Sequence, residues 1–266
     1  MFSEHTPVDI HKIDSKDVYV KRDDLYARPP APPLAKLRGL RVLLSRLYDE
    51  GIQLAGCWDT RVSKLGQGLA ACCAEFPGMK SVVSYPMKKG EPEPEAIRIA
   101  AGLGAEVYPV PGARITICFA QARRYVNERG GFMLPFGLEC PEAVEGVRRE
   151  AANVPTELLR GGTLVVCCGS GVTLAGLLLG LPELPRRIIG VSSGRSPANI
   201  SACLKRYVKS IPPELELREA DVPYSVPLSF PCPFPAHPHY DLKAWKFLHE
   251  NLRALPEPIL FWNIGA

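Results

Sequence analysis

Short apolar runs alternate along the chain with longer stretches in which apolar residues recur every three or four positions. This pattern predicts strands alternating with helices. Thr163–Cys168 is the clearest run. It is closed by Gly169-Ser170-Gly171-Val172-Thr173, and Leu174-Ala175-Gly176-Leu177-Leu178-Leu179 then resumes as a helix with small residues for close packing on a sheet. The same rhythm predicts strands at 18–22, 52–56, 81–85, 105–110, 132–135, 187–191 and 258–262. Helices are predicted from Lys36 through Leu47 and over 65–76, 93–102, 115–129, 142–159, 197–208 and 241–253. Such alternation implies an α/β fold of parallel twisted sheets covered by helices, with ligands at the carboxyl ends of strands. The rhythm stops at Ile211. From there to His239 prolines recur, and Pro231-Cys232-Pro233-Phe234-Pro235 excludes helix or central strand, so a long ordered loop is expected. Two domains are expected: a larger one from 1–45 and 131–266, and a reduced smaller one from 46–130.

Composition narrows this picture without changing it. The 266 residues are 46% hydrophobic and 23% charged, a balance ordinary for a globular enzyme with a sizeable core. No apolar run approaches the ~18 residues of a membrane span, and Met1-Phe2-Ser3-Glu4-His5 has no signal-peptide build, so a cytoplasmic protein without a membrane partner is expected. Nine cysteines without any Cys-x-x-Cys read as small core residues in a reducing compartment. No metal site is expected, because His237 and His239 flank a proline with no third ligand beside them. A net charge of +4 admits an anionic cofactor or a nucleic-acid substrate and requires neither. The pairs Arg123-Arg124, Arg148-Arg149 and Arg186-Arg187 read as solvated helix ends and edges rather than a basic stripe.

The candidate chemistry starts at the glycine turn. A turn of small residues opening a helix presents backbone N–H groups and the positive end of the helix dipole, here with the hydroxyls of Ser170 and Thr173 in reach, and so suits a phosphate. It is neither a nucleotide P-loop nor a full dinucleotide fingerprint, and on its own it serves equally as a tight connection. Lys36, placed in the first turn of its predicted helix, opposes the dipole there.

Taken in order, several segments resemble the pyridoxal-phosphate enzymes of fold type II, the tryptophan-synthase-β-like group, nearest its aminocyclopropanecarboxylate deaminase and D-cysteine desulfhydrase branch. Val20-Lys21-Arg22-Asp23-Asp24-Leu25 is similar to a strand reading Lys-Arg-Glu-Asp. Leu34-Ala35-Lys36-Leu37-Arg38-Gly39-Leu40 is similar to Gly-Asn-Lys-x-Arg-Lys-Leu, whose lysine forms a Schiff base with the cofactor. Leu134-Pro135-Phe136-Gly137 resembles a mid-chain Pro-x-Gly segment, and the 169–173 turn resembles the phosphate turn. His237-Pro238-His239-Tyr240-Asp241-Leu242-Lys243-Ala244 resembles the late Asp-Pro-x-Tyr-Glu/Thr-Gly-Lys segment, and Leu260-Phe261-Trp262-Asn263-Ile264-Gly265 the terminal Leu-Phe-x-His-Thr-Gly.

The resemblance implies pyridoxal 5'-phosphate as cofactor, covalently held by Lys36, with its phosphate on Gly169, Ser170, Gly171, Val172 and Thr173. It implies Asp241 against the pyridine nitrogen, where a carboxylate keeps that nitrogen protonated and the ring a strong electron sink, and Tyr240 as an acid or base near the substrate. Read from the residues alone, Asp241 serves equally as a helix cap. A homodimer is also implied. The departures bear on the substrate. The residue before the lysine is Ala35, the terminal His-Thr is Asn263-Ile264, and the Ser-Asn-x-Thr-Arg loop that clamps a substrate carboxylate reads Asp59-Thr60-Arg61-Val62-Ser63-Lys64. Arg61, Ser63 and Lys64 remain as residues to contact an anion. A lost clamp fits a lyase that removes the carboxylate rather than holding it. Some phages that hypermodify thymine use compact pyridoxal-phosphate enzymes to remove the carboxylate of an amino acid attached to the base in DNA, and decarboxylation of that kind is the favoured expectation. Two alternatives stay open at this point: a deaminase or desulfhydrase of a small free amino acid, and a degenerate relative that binds the cofactor or a phosphate without turnover.

Overall fold

In the computed structural model, which describes all 266 residues, ten strands and eight α-helices follow in chain order. They are β1 (Val8–Ile13), β2 (Lys16–Arg22), α1 (Leu37–Asp49), β3 (Leu54–Trp58), α2 (Leu65–Cys73), β4 (Lys80–Met87), α3 (Glu95–Gly102), β5 (Glu106–Pro111), α4 (Ile115–Asn127), β6 (Phe132–Met133), α5 (Pro141–Ala151), β7 (Thr163–Cys168), α6 (Val172–Gly180), β8 (Arg187–Ser192), α7 (Pro197–Leu204), β9 (Leu215–Glu219), α8 (Asp241–Asn251) and β10 (Ile259–Asn263). The chain divides into two compact units. Phe2–Ala27, Pro33–Lys36 and Glu139–Ala266 make the larger, and Met1, Arg28–Pro32 and Leu37–Leu138 the smaller.

The larger unit is built on a six-stranded sheet in the order β1-β2-β10-β7-β8-β9. All neighbours run parallel except β1, which turns back antiparallel on β2. β7 and β10 lie in the middle and bury every residue, as apolar runs without alternation require. β1 carries Asp9, His11 and Lys12 and buries none of its residues fully, so the apolar signal misses it, and it adds one antiparallel edge to the parallel sheet. The segment after Ile211, expected to be irregular throughout, contains the opposite edge. Leu215-Glu216-Leu217-Arg218-Glu219 alternates as a half-exposed strand should, and Glu216 pairs with Arg187 of β8 at 2.8 Å. The proline-rich remainder is fastened by aromatic packing. Trp245 of α8 donates its Nε1–H to the Pro231 carbonyl at 3.1 Å and meets Phe234 and Phe261 edge-on, with ring centroids 4.8 and 5.3 Å away.

A buried ionic knot fixes β2. The Lys21 ammonium lies 2.5 Å from Glu150 Oε1 and donates to the Thr6 carbonyl, while Glu150 also accepts the Thr6 N–H at 3.0 Å and the Thr6 hydroxyl at 2.9 Å. Two charges in such a place are tolerable only with their remaining hydrogen-bonding capacity filled, as it is here.

The smaller unit has a four-stranded parallel sheet, β5-β4-β3-β6, with α1 to α4. Leu37, Leu40, Leu43, Leu44 and Leu47 form the buried stripe of α1. Gly68 of α2 makes room for Leu37, since a Cβ there would lie 2.4 Å from Leu37 Cδ2. This packing, together with the pairing of β6 on β3, puts 37–45 and 131–138 in the smaller unit, whereas the boundaries expected from sequence assign them to the larger. All nine cysteines are free thiols and eight are buried, and burial pushes Cys73 and Cys168 up to about 12. No helix is long and apolar enough to cross a membrane.

Candidate active site

In the larger unit the parallel strands β10, β7 and β8 end side by side, and the segments leaving those ends carry most of the candidate chemistry. After β7 the chain turns through Gly169-Ser170-Gly171 into α6. Gly171 sits at φ +97°, so the turn needs glycine for its conformation, while a Cβ there would only touch Ile200 and Cys203 at an ordinary 3.4 Å. At Gly169 a Cβ would meet nothing within 4 Å, which leaves room beside the turn. No side chain caps α6, and Ser170 and Thr173 are each only 5% exposed. A helix end without a side-chain cap and with two buried hydroxyls beside it suits an anion.

The stretch after β10 joins the other two parts. The Ile264 N–H donates to Asp241 Oδ1 at 2.9 Å, and the Ile264 carbonyl accepts the Ala35 N–H at 2.9 Å. Gly265 accepts the His237 N–H at 3.0 Å, and Ala266 donates to the Pro33 carbonyl. One short strap therefore holds both the residues leading to Lys36 and the start of α8. Lys36 is half-buried and lies in the turn just before α1, not within the helix's first turn as the periodicity predicts. Its charge acts on Asp241 and on the buried thiol of Cys167. Asp241 is the first residue of α8, not its N-cap, which is Tyr240; it is 1% exposed and its carboxylate accepts the Ile264 N–H. Burial drives its carboxyl pKa well above the ordinary carboxylate range. Asp24 pushes the same way, while the Ile264 N–H and Lys36 pull back. A carboxyl so placed ionises readily only against a cationic or proton-sharing partner.

Tyr240, immediately before Asp241, stands with its hydroxyl 2.6 Å from that of Tyr224. Nothing in the sequence singled out Tyr224, which lies among the prolines between β9 and α8. The two rings are 5.4 Å apart, and His237 lies 4.8 Å from Tyr240. Lys36, the 169–173 turn, Tyr240 and Asp241 thus all belong to the larger unit.

Arg61, Ser63 and Lys64 belong to the smaller unit. Arg61 is bound to Glu91 at 2.8 Å and to the Pro86 and Pro92 carbonyls. Ser63 accepts the Leu65 N–H at 3.3 Å, and burial lowers the pKa of Lys64. The loop is organised by Asp59, whose buried carboxylate accepts the Gly66 N–H of α2 at 2.6 Å and the Thr60 N–H at 2.9 Å. That helix end is therefore already occupied by a carboxylate of the chain itself.

A family profile described as pyridoxal-phosphate dependent enzyme matches residues 5–226. The chain belongs to that family. Over the full length of both chains, this pyridoxal-phosphate enzyme is 29% identical to the glycyl-dTMP PLP-dependent decarboxylase of Pseudomonas phage M6. Its fold is shared with an ACC deaminase homologue, with a TM-score of 0.81 and 21% identity over 99% of this chain and 90% of that one. It is also shared with a hydrogen sulfide-producing enzyme from Fusobacterium nucleatum, with a TM-score of 0.66 and 17% identity over 98% and 95% of the two chains.

The residues present fit the cofactor. The uncapped turn would suit its phosphate, Lys36 would supply an amine, and Asp241 would supply a buried acid for its ring nitrogen. When bound, pyridoxal phosphate draws electrons from the carbon beside a substrate amine. Replacing Gly171 by alanine puts a side chain in the left-handed region, at φ +97°. Cofactor affinity is expected to fall about tenfold, measured by titration of the visible absorbance, at a strain of about 1–3 kcal/mol.

Proposed function

We propose that this enzyme removes, as carbon dioxide, the carboxylate of an amino-acid group attached to thymine, with glycyl-modified thymidine in phage DNA as the favoured substrate. The observation that carries the reading is the end-to-end likeness to a phage enzyme whose name states this chemistry on glycyl-dTMP. The build of the Asp59 loop supports it, because α2 already holds a carboxylate and its amide is not left for a substrate's.

In this reading Lys36 binds the cofactor, the 169–173 turn holds its phosphate and Asp241 holds a proton at its ring nitrogen. The bond between the α-carbon and the carboxylate breaks, carbon dioxide leaves, and the electron pair stays on the carbon side. Tyr240 delivers a proton to that carbon and is reprotonated from water. Arg61, Ser63 and Lys64 are the proposed contacts for the anionic remainder of the substrate, and the host cytoplasm is the proposed place of reaction.

The test is mass spectrometry of nucleosides after incubation with glycyl-modified DNA and, separately, with glycyl-dTMP. Loss of carbon dioxide from the DNA-linked base is expected. Turnover of the mononucleotide alone would move the reaction ahead of DNA synthesis, and no loss from either would exclude the reading.

A further inference from the structure

We propose that His239 and Lys243 are positioning residues that fasten the Pro223-Tyr224 backbone and so hold the Tyr224 hydroxyl on that of Tyr240. The inference rests on the reading of Tyr240 as the proton donor. Between β9 and α8 the chain around Tyr224 is irregular, and Asp221, Pro223, Ser225, Val226 and Pro227 are all exposed. Such a strap has little buried surface of its own to keep it in place. Two side chains reach it, Lys243 from the first turn of α8 and His239 from just before that helix. Lys243 Nζ donates to the Pro223 carbonyl at 2.7 Å, and His239 Nδ1 lies 2.8 Å from the Tyr224 carbonyl. A carbonyl only accepts, so Nδ1 of His239 carries the hydrogen.

Both fasteners are themselves buried, Lys243 to 3% and His239 to 9% exposure. A lysine withdrawn from water is costly, and its hydrogen bond to the Pro223 carbonyl offsets part of that cost while fixing the strap. What the fastening fixes is the ring of Tyr224. It lies against Gly194, just beyond the end of β8, where a Cβ would come within 3.4 Å of it, and its hydroxyl is 2.6 Å from that of Tyr240. One hydroxyl of the pair donates to the other. The contact therefore fixes the position of the Tyr240 oxygen, whichever hydroxyl donates, and a shift of about 1 Å breaks it. His239 and Lys243 both spend their hydrogen bonds on this backbone, and in this proposal both act through Tyr224.

The decisive experiment is a double-mutant cycle on the cofactor-loaded enzyme, read together with fluorine NMR of protein carrying 3-fluorotyrosine at position 224. His239→Ala and Tyr224→Phe should each lower kcat about tenfold or more with KM nearly unchanged, and the double variant should be no slower than Tyr224→Phe alone. His239→Asn, whose amide N–H can take the place of Nδ1–H, should restore most of the loss. The fluorine resonance, which must respond to Tyr240→Phe, should move in His239→Ala and return in His239→Asn. Additive losses in the cycle, or a resonance unmoved by His239→Ala, would overturn the proposal. The NMR readout needs no turnover, so an enzyme that leaves glycyl-modified thymidine untouched while showing the expected shifts would refute the proposed reaction and leave the positioning role standing.

Discussion

Lys36→Ala is expected to lose every trace of borohydride-trapped cofactor and to lower turnover by at least the order of 10³-fold, while the fold persists. Lys21, Lys36 and Lys243 compete for the role, since the half-buried Lys16 and Lys246 of the same unit are paired with Glu257 and Glu250, and their surroundings separate them. Lys21 is committed to Glu150 and the Thr6 carbonyl, and Lys243 to the Pro223 carbonyl. Lys36 alone is led into place by the strap after β10, through the Ala35–Ile264 hydrogen bond, and its charge acts directly on Asp241. The check is the visible spectrum before and after borohydride, with peptide mapping of the reduced adduct. An adduct mapping to Lys243 or Lys21, or one surviving in Lys36→Ala, would move the attachment elsewhere.

Asp241→Asn is expected to act in opposite directions on stability and on activity. An aspartate titrates near 3.9 in an unfolded chain, and burial raises Asp241 well above this in the folded protein. Between those two values the folded state binds the extra proton, so the contribution of this group to stability is fully present below about pH 4 and is lost as pH rises through the folded value. In cofactor-free protein the asparagine variant has no such group. It should unfold at higher temperature than the parent near neutral pH and show a flatter dependence on pH, with its amide oxygen still able to accept from Ile264. With cofactor the sign reverses. An asparagine cannot hold a proton at the ring nitrogen as a carboxylate does, and turnover should fall on the order of 10²-fold. Thermal unfolding across pH and kcat on the same preparations decide both halves. A variant less stable without cofactor, or equally active with it, would remove Asp241 from its assigned place.

What could be read from the sequence follows from how each part announces itself. β7 and its glycine turn were legible from residues alone, because a strand buried on both faces is an unbroken apolar run and a left-handed turn demands glycine. Lys36 and Asp241 were legible only through resemblance, since a lysine before a helix and an aspartate at the start of one are ordinary local features. Their common tie to Ile264 joins segments more than two hundred residues and some twenty residues away from it, respectively, and no local pattern encodes that. β1 and β9 were missed or shortened because edge strands carry charges, and charge masks an apolar signal. Tyr224 was hidden for a different reason: prolines explain its neighbourhood completely, and its significance arises only from a hydroxyl contact with Tyr240. The domain boundary shifted because helix α1 packs by its leucine stripe on α2, a choice of partner that periodicity does not contain.

The most direct test of the account is to offer the purified enzyme glycyl-modified thymidine carrying a labelled carboxylate carbon and to follow the label. The account predicts that the label leaves as carbon dioxide in step with a nucleoside product that keeps its nitrogen, and that Lys36→Ala releases none. Label retained in the nucleoside while ammonia appears would contradict it and make the enzyme a deaminase.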